Sequence, residues 1–222
     1  MRKPILGLAA IALAATMGLA HAQDKKTIGV SIPAADHGWT AGVVYHAERI
    51  AKKLMEEHPG LNVVVKTSPD PASQANAVQD LETQGIDALV ILPTDPDPLV
   101  NAIKEVKSKG KFVALVDRAP STNDDSVRDL YIAGNNPALG EVAGKYIAKT
   151  TPDAEVVVIR GLPIPIDQQR QDGFDKGIAG SNVKVLDRQF GNWNRDDAFK
   201  VMQDYLTKYP KIDVVWCQDD DM

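Results

Sequence analysis

Residues 27–67 read TIGVSIPAADHGWTAGVVYHAERIAKKLMEEHPGLNVVVKT. Two Val/Ile-rich runs, TIGVSI (27–32) and LNVVVKT (61–67), bracket a stretch of different period. Within it Val43, Ala47, Ile50 and Leu54 recur at helical spacing, while Glu48, Lys52 and Glu56 take another face. The flanking runs are continuously apolar rather than alternating, the pattern of strands covered on both faces. Strand, helix and strand in that order read as one parallel crossover unit.

The unit repeats down the chain. Further strand candidates are IDALVIL (86–92), KFVALVD (111–117), LYIAG (130–134), AEVVVIR (154–160), NVKVLDRQF (182–190) and IDVVWC (212–217). Leu139, Val142 and Tyr146 mark one later helix, and Ala198, Met202 and Tyr205 another. Three helices are expected to start at an Asx–Pro step: Asp70-Pro71, Asp97-Pro98 and Asn136-Pro137. The Asx side chain caps free amides, and Pro suits the first helical position because it has no N–H to leave unpaired.

The expected fold class is α/β, with two doubly wound parallel-sheet lobes. The polar segment RAPSTNDDSVRD (118–129) interrupts the rhythm without a helix. It reads as the passage from an N-terminal lobe, 23–132, to a C-terminal lobe, 133–222. The second lobe ends on a strand with no helix after it, which would leave a sheet face bare. It is therefore expected to be truncated, the chain being a fragment of a longer protein.

Residues 1–22 read as a signal peptide. Arg2 and Lys3 precede the apolar run ILGLAAIALAATMGLA, and Ala20-His21-Ala22 is a small-x-small cleavage site. The run is too short and too closely followed by QDKK for a membrane span. No cysteine follows the site to carry a lipid, so the mature protein is expected free in the periplasm. Loss of two positive charges takes the formal net charge from −5 to −7 (−5 − 2). That balance argues against a phosphate-backbone partner, which needs a basic face. The lone Cys217 excludes an internal disulfide and reads as a strand residue, not a nucleophile.

Ligands of doubly wound sheets bind beyond the carboxyl ends of the strands. The residues expected there include Asp36, His37, Trp39 and Thr40; Pro93, Thr94 and Asp95; Asp117 and Arg118; Arg170; Asn192, Trp193 and Arg195; and Gln218 and Asp219. Aromatic faces beside carboxylates, amides and guanidinia suit a sugar. Its ring has apolar C–H faces and a rim of hydroxyls. Each residue also has a plainer reading. Trp39 could staple the start of its helix, Asp36 could cap it, Asp117-Arg118 could be a local ion pair, and Trp193 could be an ordinary surface residue. His46 and His58 read as surface residues of the first helix, and QDDDM (218–222) as a strand-end turn.

Other chemistries lack their signatures. No G-x-G-x-x-G follows a strand, and GEVAGKY (140–146) misses the phosphate-loop spacing and its Ser/Thr. There is no G-x-S-x-G elbow and no histidine pair at metal-ligand spacing. No catalytic constellation assembles, so the expectation is a non-enzyme without cofactor or metal.

The segments VQDLETQGIDALVILPTDPD, VALVDRAP, AGNNPALGEVAGKYIAK, RQDGF and CQDDDM, in this order, resemble the type I periplasmic sugar-binding proteins of the ribose/galactose class. These are the soluble receptors of ABC importers. The resemblance implies two α/β lobes joined by a three-crossover hinge that close on a sugar or polyol. It implies ligand contacts at His37, Trp39 and Thr40, at Asp117 and Arg118, and at Arg170, Trp193 and Asp219. It implies an ABC permease of the inner membrane as partner, with a chemoreceptor or sensor kinase as the alternative. A regulator of the lactose-repressor type shares the fold, but would need a helix-turn-helix where this chain has a signal peptide. Typical ribose binders carry Asn at the positions of His37, Leu92 and Asp219 and an aromatic at that of Thr40. These departures point to another aldose, a furanose or a polyol.

Overall fold

The computed structural model describes residues 25–122 and 125–222; the expected signal peptide and its cleavage site lie outside the described residues. The chain alternates strands and helices throughout. The first half contains β1 (Lys26–Pro33), α1 (Gly38–Glu57), β2 (Leu61–Ser68), α2 (Pro71–Thr83), β3 (Ala88–Ile91), α3 (Pro96–Ser108), β4 (Phe112–Val116), a single 3-10 turn (Asp125–Val127) and β5 (Leu130–Ile132). The second contains α4 (Asn136–Thr150), β6 (Glu155–Arg160), α5 (Pro165–Ile178), β7 (Lys184–Phe190), α6 (Arg195–Lys208) and β8 (Val214–Cys217).

Two all-parallel sheets result. One has the order β2-β1-β3-β4-β5 and the other β7-β6-β8. In each, the order reverses around one strand: β1 in the first, β6 in the second. A reversal sends the two adjoining connections to opposite faces and leaves a crevice at the carboxyl edge.

Strand β6 shows why such runs are continuously apolar. Val156 and Val158 pack with Ile147, Phe174 and Trp216 on one face, while Val157 and Ile159 pack with Ala198, Val201 and Tyr205 on the other. Both faces are dry, so alternation would bury polar groups. The first sheet is covered this way on one side only, by α2 and α3 through Leu81, Leu99, Ile103 and Val106. On its other side α1 lies alone over a sheet of five strands. Strands sit about 4.8 Å apart and a helix is about 10 Å wide, so one helix covers about half that width. An apolar groove remains along Val30, Ile32, Val90 and Val116 beside Val43 and Ala47, and Ile50 is left 42% exposed. Full two-faced covering, expected from the strand pattern, therefore holds for β6 but not for this face.

Two helix starts differ from expectation. Helix α3 is capped by Asp95, whose side chain accepts from the Asp97 amide, with Pro96 as its first residue. The tandem Asp-Pro-Asp-Pro offers two equivalent caps, and the chain takes the earlier. Helix α4 is capped by Asn135, which accepts from the Ala138 amide, so Pro137 occupies the second helical position. Asp70 caps α2 as expected, accepting from the Ser73 amide at 2.8 Å.

Helices α4 and α5 cross at backbone contact. A β-carbon at Gly140 would lie 1.9 Å from the Arg170 carbonyl oxygen, and one at Gly173 would lie 2.0 Å from that of Pro137. Gly144 and Gly177 meet one turn further on. The close crossing puts Arg170 at the carboxyl edge of the second sheet.

Candidate functional site

The turn after β1 holds Trp39 through a local network. The Thr40 hydroxyl donates to Asp36 Oδ1 at 2.7 Å and accepts from the amides of Asp36 and His37. The His37 imidazole Nδ1 lies 2.7 Å from the same carboxylate. Burial acts to raise the Asp36 carboxyl, but its hydrogen bonds from Thr40 and His37 outweigh this and hold it below the usual range. Thr40 is 1% exposed, so it braces the turn from beneath rather than facing the cavity. Its hydroxyl is engaged by Asp36 and His37 in the helix cap, and Thr40 is not among the residues that line the cavity.

Beyond that turn lies a cavity of about 400 Å³, lined by His37, Trp39, Asp117, Arg118, Arg170, Trp193 and Asp219. The structure thus brings together seven of the eight expected residues. Gly38, Leu139, Ile166, Gln218 and Asp220 complete the wall. Gln218 and Asp220 fall in the strand-end turn after β8, a segment whose position was legible. Leu139 and Ile166 are apolar residues in the first turns of α4 and α5 and carried no chemical signal.

The two tryptophans stand differently. Trp39, from the first sheet's edge, is 52% exposed. Trp193, from the loop after β7, is 3% exposed and not a surface residue. Its indole lies against Gly161, the residue after β6, where any β-carbon would collide with the ring. From the opposite sheet the His37 ring stacks near it at 6.2 Å, and the Arg118 guanidinium lies 4.9 Å from its centroid. Arg170 approaches the same ring at 5.8 Å. A cation over an indole face is attracted by the ring's quadrupole.

Backbone strain collects at this rim. Among the described residues, positive φ outside glycine occurs at Asp117, Asn192 and Trp193. Such residues cost about 1–3 kcal/mol each and persist where the surroundings over-determine them. Asp117 is held by its own amide on the Ile132 carbonyl and by the Tyr131 hydroxyl donating to its carbonyl.

The arginines are fixed by backbone oxygens. Arg118 donates to the carbonyls of Thr94 at 2.6 Å and Pro93 at 3.3 Å. Its ion pair with Asp117 is long, 3.9 Å, so the plain local-pair reading describes a minor contact. Arg170 donates to Asn136 Oδ1 at 2.8 Å and to the Gln218 carbonyl at 2.9 Å. Burial pushes both guanidinia below their ordinary value, yet arginine starts so high that they stay charged. Arg118 Nε, Trp193 Nε1 and Gln218 Oε1 are buried with no protein partner. Each such atom costs about 1–3 kcal/mol unless something pairs with it. All three belong to residues that line the cavity.

Beneath the site, Asp167 accepts from Arg160 Nε and from the Gly161 amide, both at 2.9 Å, fixing the floor under Trp193. Burial pushes its carboxyl up, against those bonds. Cys217 is half-buried among Leu186, Met202 and Ile212, and burial pushes its thiol up, away from nucleophilic character.

Two parallel sheets whose carboxyl edges share one cavity define an α/β protein built to bind a small ligand between them. The chain belongs to the periplasmic binding protein domain family, whose profile matches residues 28–222. It is 33% identical over 225 residues to the ribose import binding protein RbsB of Salmonella typhimurium, covering 100% of this chain and 73% of that one. Among solved structures it is similar to the periplasmic binding protein of the Shewanella sp. ANA-3 arabinose ABC transporter, bound to L-arabinofuranose. That match has TM-score 0.80, 25% identity and coverage of 88% of this chain and 65% of that one. A Mycobacterium smegmatis protein in complex with β-D-fucofuranose matches at TM-score 0.78 and 27% identity, again over 88% and 65%. The chain thus spans about two thirds of the length of these solved relatives.

Proposed function

We propose that this protein is the soluble substrate-binding component of an ABC importer, taking a monosaccharide or polyol into the cavity between its two sheets. The observation that carries this reading is the pairing of Trp39 and Trp193 on opposite edges of one cavity, with Arg118, Arg170, Asp117 and Asp219 around them. Indole faces suit the C–H faces of a sugar ring, and the charged groups suit its hydroxyls. Charged hydrogen bonds contribute about 1.5–3 kcal/mol each, so four or five reach micromolar affinity after ordering costs.

Function is binding. Ligand favours the closed arrangement because only there do both sheets reach it, and the closed form is what an inner-membrane permease would receive. Residues 1–22 would direct export, with cleavage after Ala22 and release into the periplasm. His37, Trp39, Asp117, Arg118, Arg170, Trp193 and Asp219 are the proposed ligand contacts. His37 and Asp219, where ribose binders carry Asn, favour a furanose, another aldose or a polyol over ribose.

The test is a thermal-shift and tryptophan-fluorescence screen of the full-length protein against D-ribose, L-arabinose, D-xylose, xylitol and myo-inositol. One ligand class should raise the melting temperature and perturb indole emission. Silence toward every carbohydrate and polyol would remove the proposal.

A further inference from the structure

Helix α1 spans 20 residues, yet it has no acidic residue in its first turn. Its exposed N-terminal amides and macrodipole favour a negative group. Asp36, just before the helix, places one carboxylate in the cap, and the structure adds a second from the other sheet. Asp221, just beyond β8, accepts a hydrogen bond from the Gly38 amide through Oδ2 at 2.5 Å. Its Oδ1 accepts from Arg195 Nη2 at 2.9 Å, and Arg195 opens α6. The Asp221 amide in turn donates to Asp219 Oδ1 at 3.0 Å, tying its backbone to a residue of the main cavity's wall.

The same contact is tight when viewed from Gly38. A β-carbon at Gly38 would lie 2.8 Å from Asp221 Oδ2. Gly38 has no positive φ, so backbone conformation does not require glycine there. A β-carbon there would press on the end of the Asp221 side chain, which would have to shift. Asp221 lines a smaller adjoining cavity with Asp36, His37 and Arg195, and is not part of the main cavity's wall.

We propose that Asp221 is an interlobe latch: pinned by Arg195, its carboxylate docks on the N-terminus of α1 and sets how much of the protein is closed. It is a positioning residue that acts on ligand affinity without touching ligand. Only the affinity part of the proposal rests on the sugar-binding reading; the latch itself does not.

The experiment measures the distance across the cleft directly. Spin labels at Lys53→Cys in α1 and Lys200→Cys in α6, in a Cys217→Ser background of the full-length protein, report the separation of the two sheets without ligand. Asp221→Asn keeps the shape and removes the charge. Gly38→Ala leaves Asp221 intact and blocks its approach. Both should shift the distance distribution toward longer, broader separations with an unchanged far-UV circular dichroism spectrum. Arg195→Gln should give a smaller shift in the same direction. With L-arabinose as probe, Asp221→Asn should weaken binding roughly threefold to tenfold, the worth of one carboxylate at a partly buried helix terminus. Unchanged distances in both Asp221→Asn and Gly38→Ala overturn the latch, whatever the sugar data. Lengthened distances in a protein that ignores every sugar keep the latch and remove the sugar reading instead.

Discussion

Trp193 rests on Gly161 so closely that a β-carbon at position 161 would lie 2.0 Å from the indole. The two residues follow neighbouring strands, β7 and β6, and a left-handed backbone at Asn192 and Trp193 folds the ring back over the glycine. Gly161→Ala should therefore expel the indole from its seat. Emission should move to the red as Trp193 gains solvent, with a stability loss of about 1–3 kcal/mol from overpacking. An unshifted spectrum would mean the ring does not occupy this seat in solution.

Trp39 separates binding from stability. Half of its surface is already exposed, so Trp39→Ala should cost less unfolding free energy than the roughly 3–5 kcal/mol of truncating a fully buried aromatic. Lost stacking and burial against a bound sugar should cost about 1 kcal/mol or more, roughly a fivefold rise in Kd. Titration and urea melts on the same variant check both. Unchanged affinity with reduced stability would restore the reading of Trp39 as a helix staple.

The α4–α5 crossing is a matter of stability first and site geometry second. In Gly173→Ala the new methyl meets the Pro137 carbonyl. The helices must part, costing about 1–3 kcal/mol or more. Because Arg170 lies on α5 one turn before Gly173, ligand affinity should fall along with the urea midpoint. A variant with wild-type stability would show that the crossing has slack.

Acid should undo this fold through a defined set of carboxylates. Asp70, Asp87, Asp213 and Asp221 accept from the amides of Ser73, Thr27, Glu155 and Gly38. Those bonds hold all four carboxyls below the ordinary value. Folding favours the ionised form, so the contribution is complete above about pH 4 and is lost as pH falls through the depressed values. Tm should be flat from about pH 5 to 8 and drop below about pH 4. Asp87→Asn should make that drop shallower. A Tm that holds down to pH 3 would contradict the assignment.

Much of this architecture was legible because its determinants are local. Strand runs, the amphipathic period of α1 and the Asp70 cap depend on residues within one or two turns. Placing Trp39, Asp117-Arg118, Arg170 and Trp193 near one edge followed from the rule that βα turns lie at strand carboxyl ends. The misplaced caps of α3 and α4 mark the limit of such reasoning. Asp95 and Asp97, or Asn135 and Asn136, are equivalent in local chemistry, and only packing selects between them. Thr40 lies beneath the wall for a related reason: its residue type fitted a binding wall, but its partners on Asp36 and His37 turn the hydroxyl inward.

Sequence periodicity was enough for the α/β class, the order of elements and the edge on which a ligand would sit, since each is a property of a short stretch of chain. Which groups face one another across the cavity needed the fold. Trp193 on Gly161, Arg118 over Trp193 and Asp221 on the α1 terminus join residues 32, 75 and 183 positions apart (193 − 161, 193 − 118, 221 − 38). No local pattern encodes such pairs. They arise because the fold brings the carboxyl edges of both sheets to the same space.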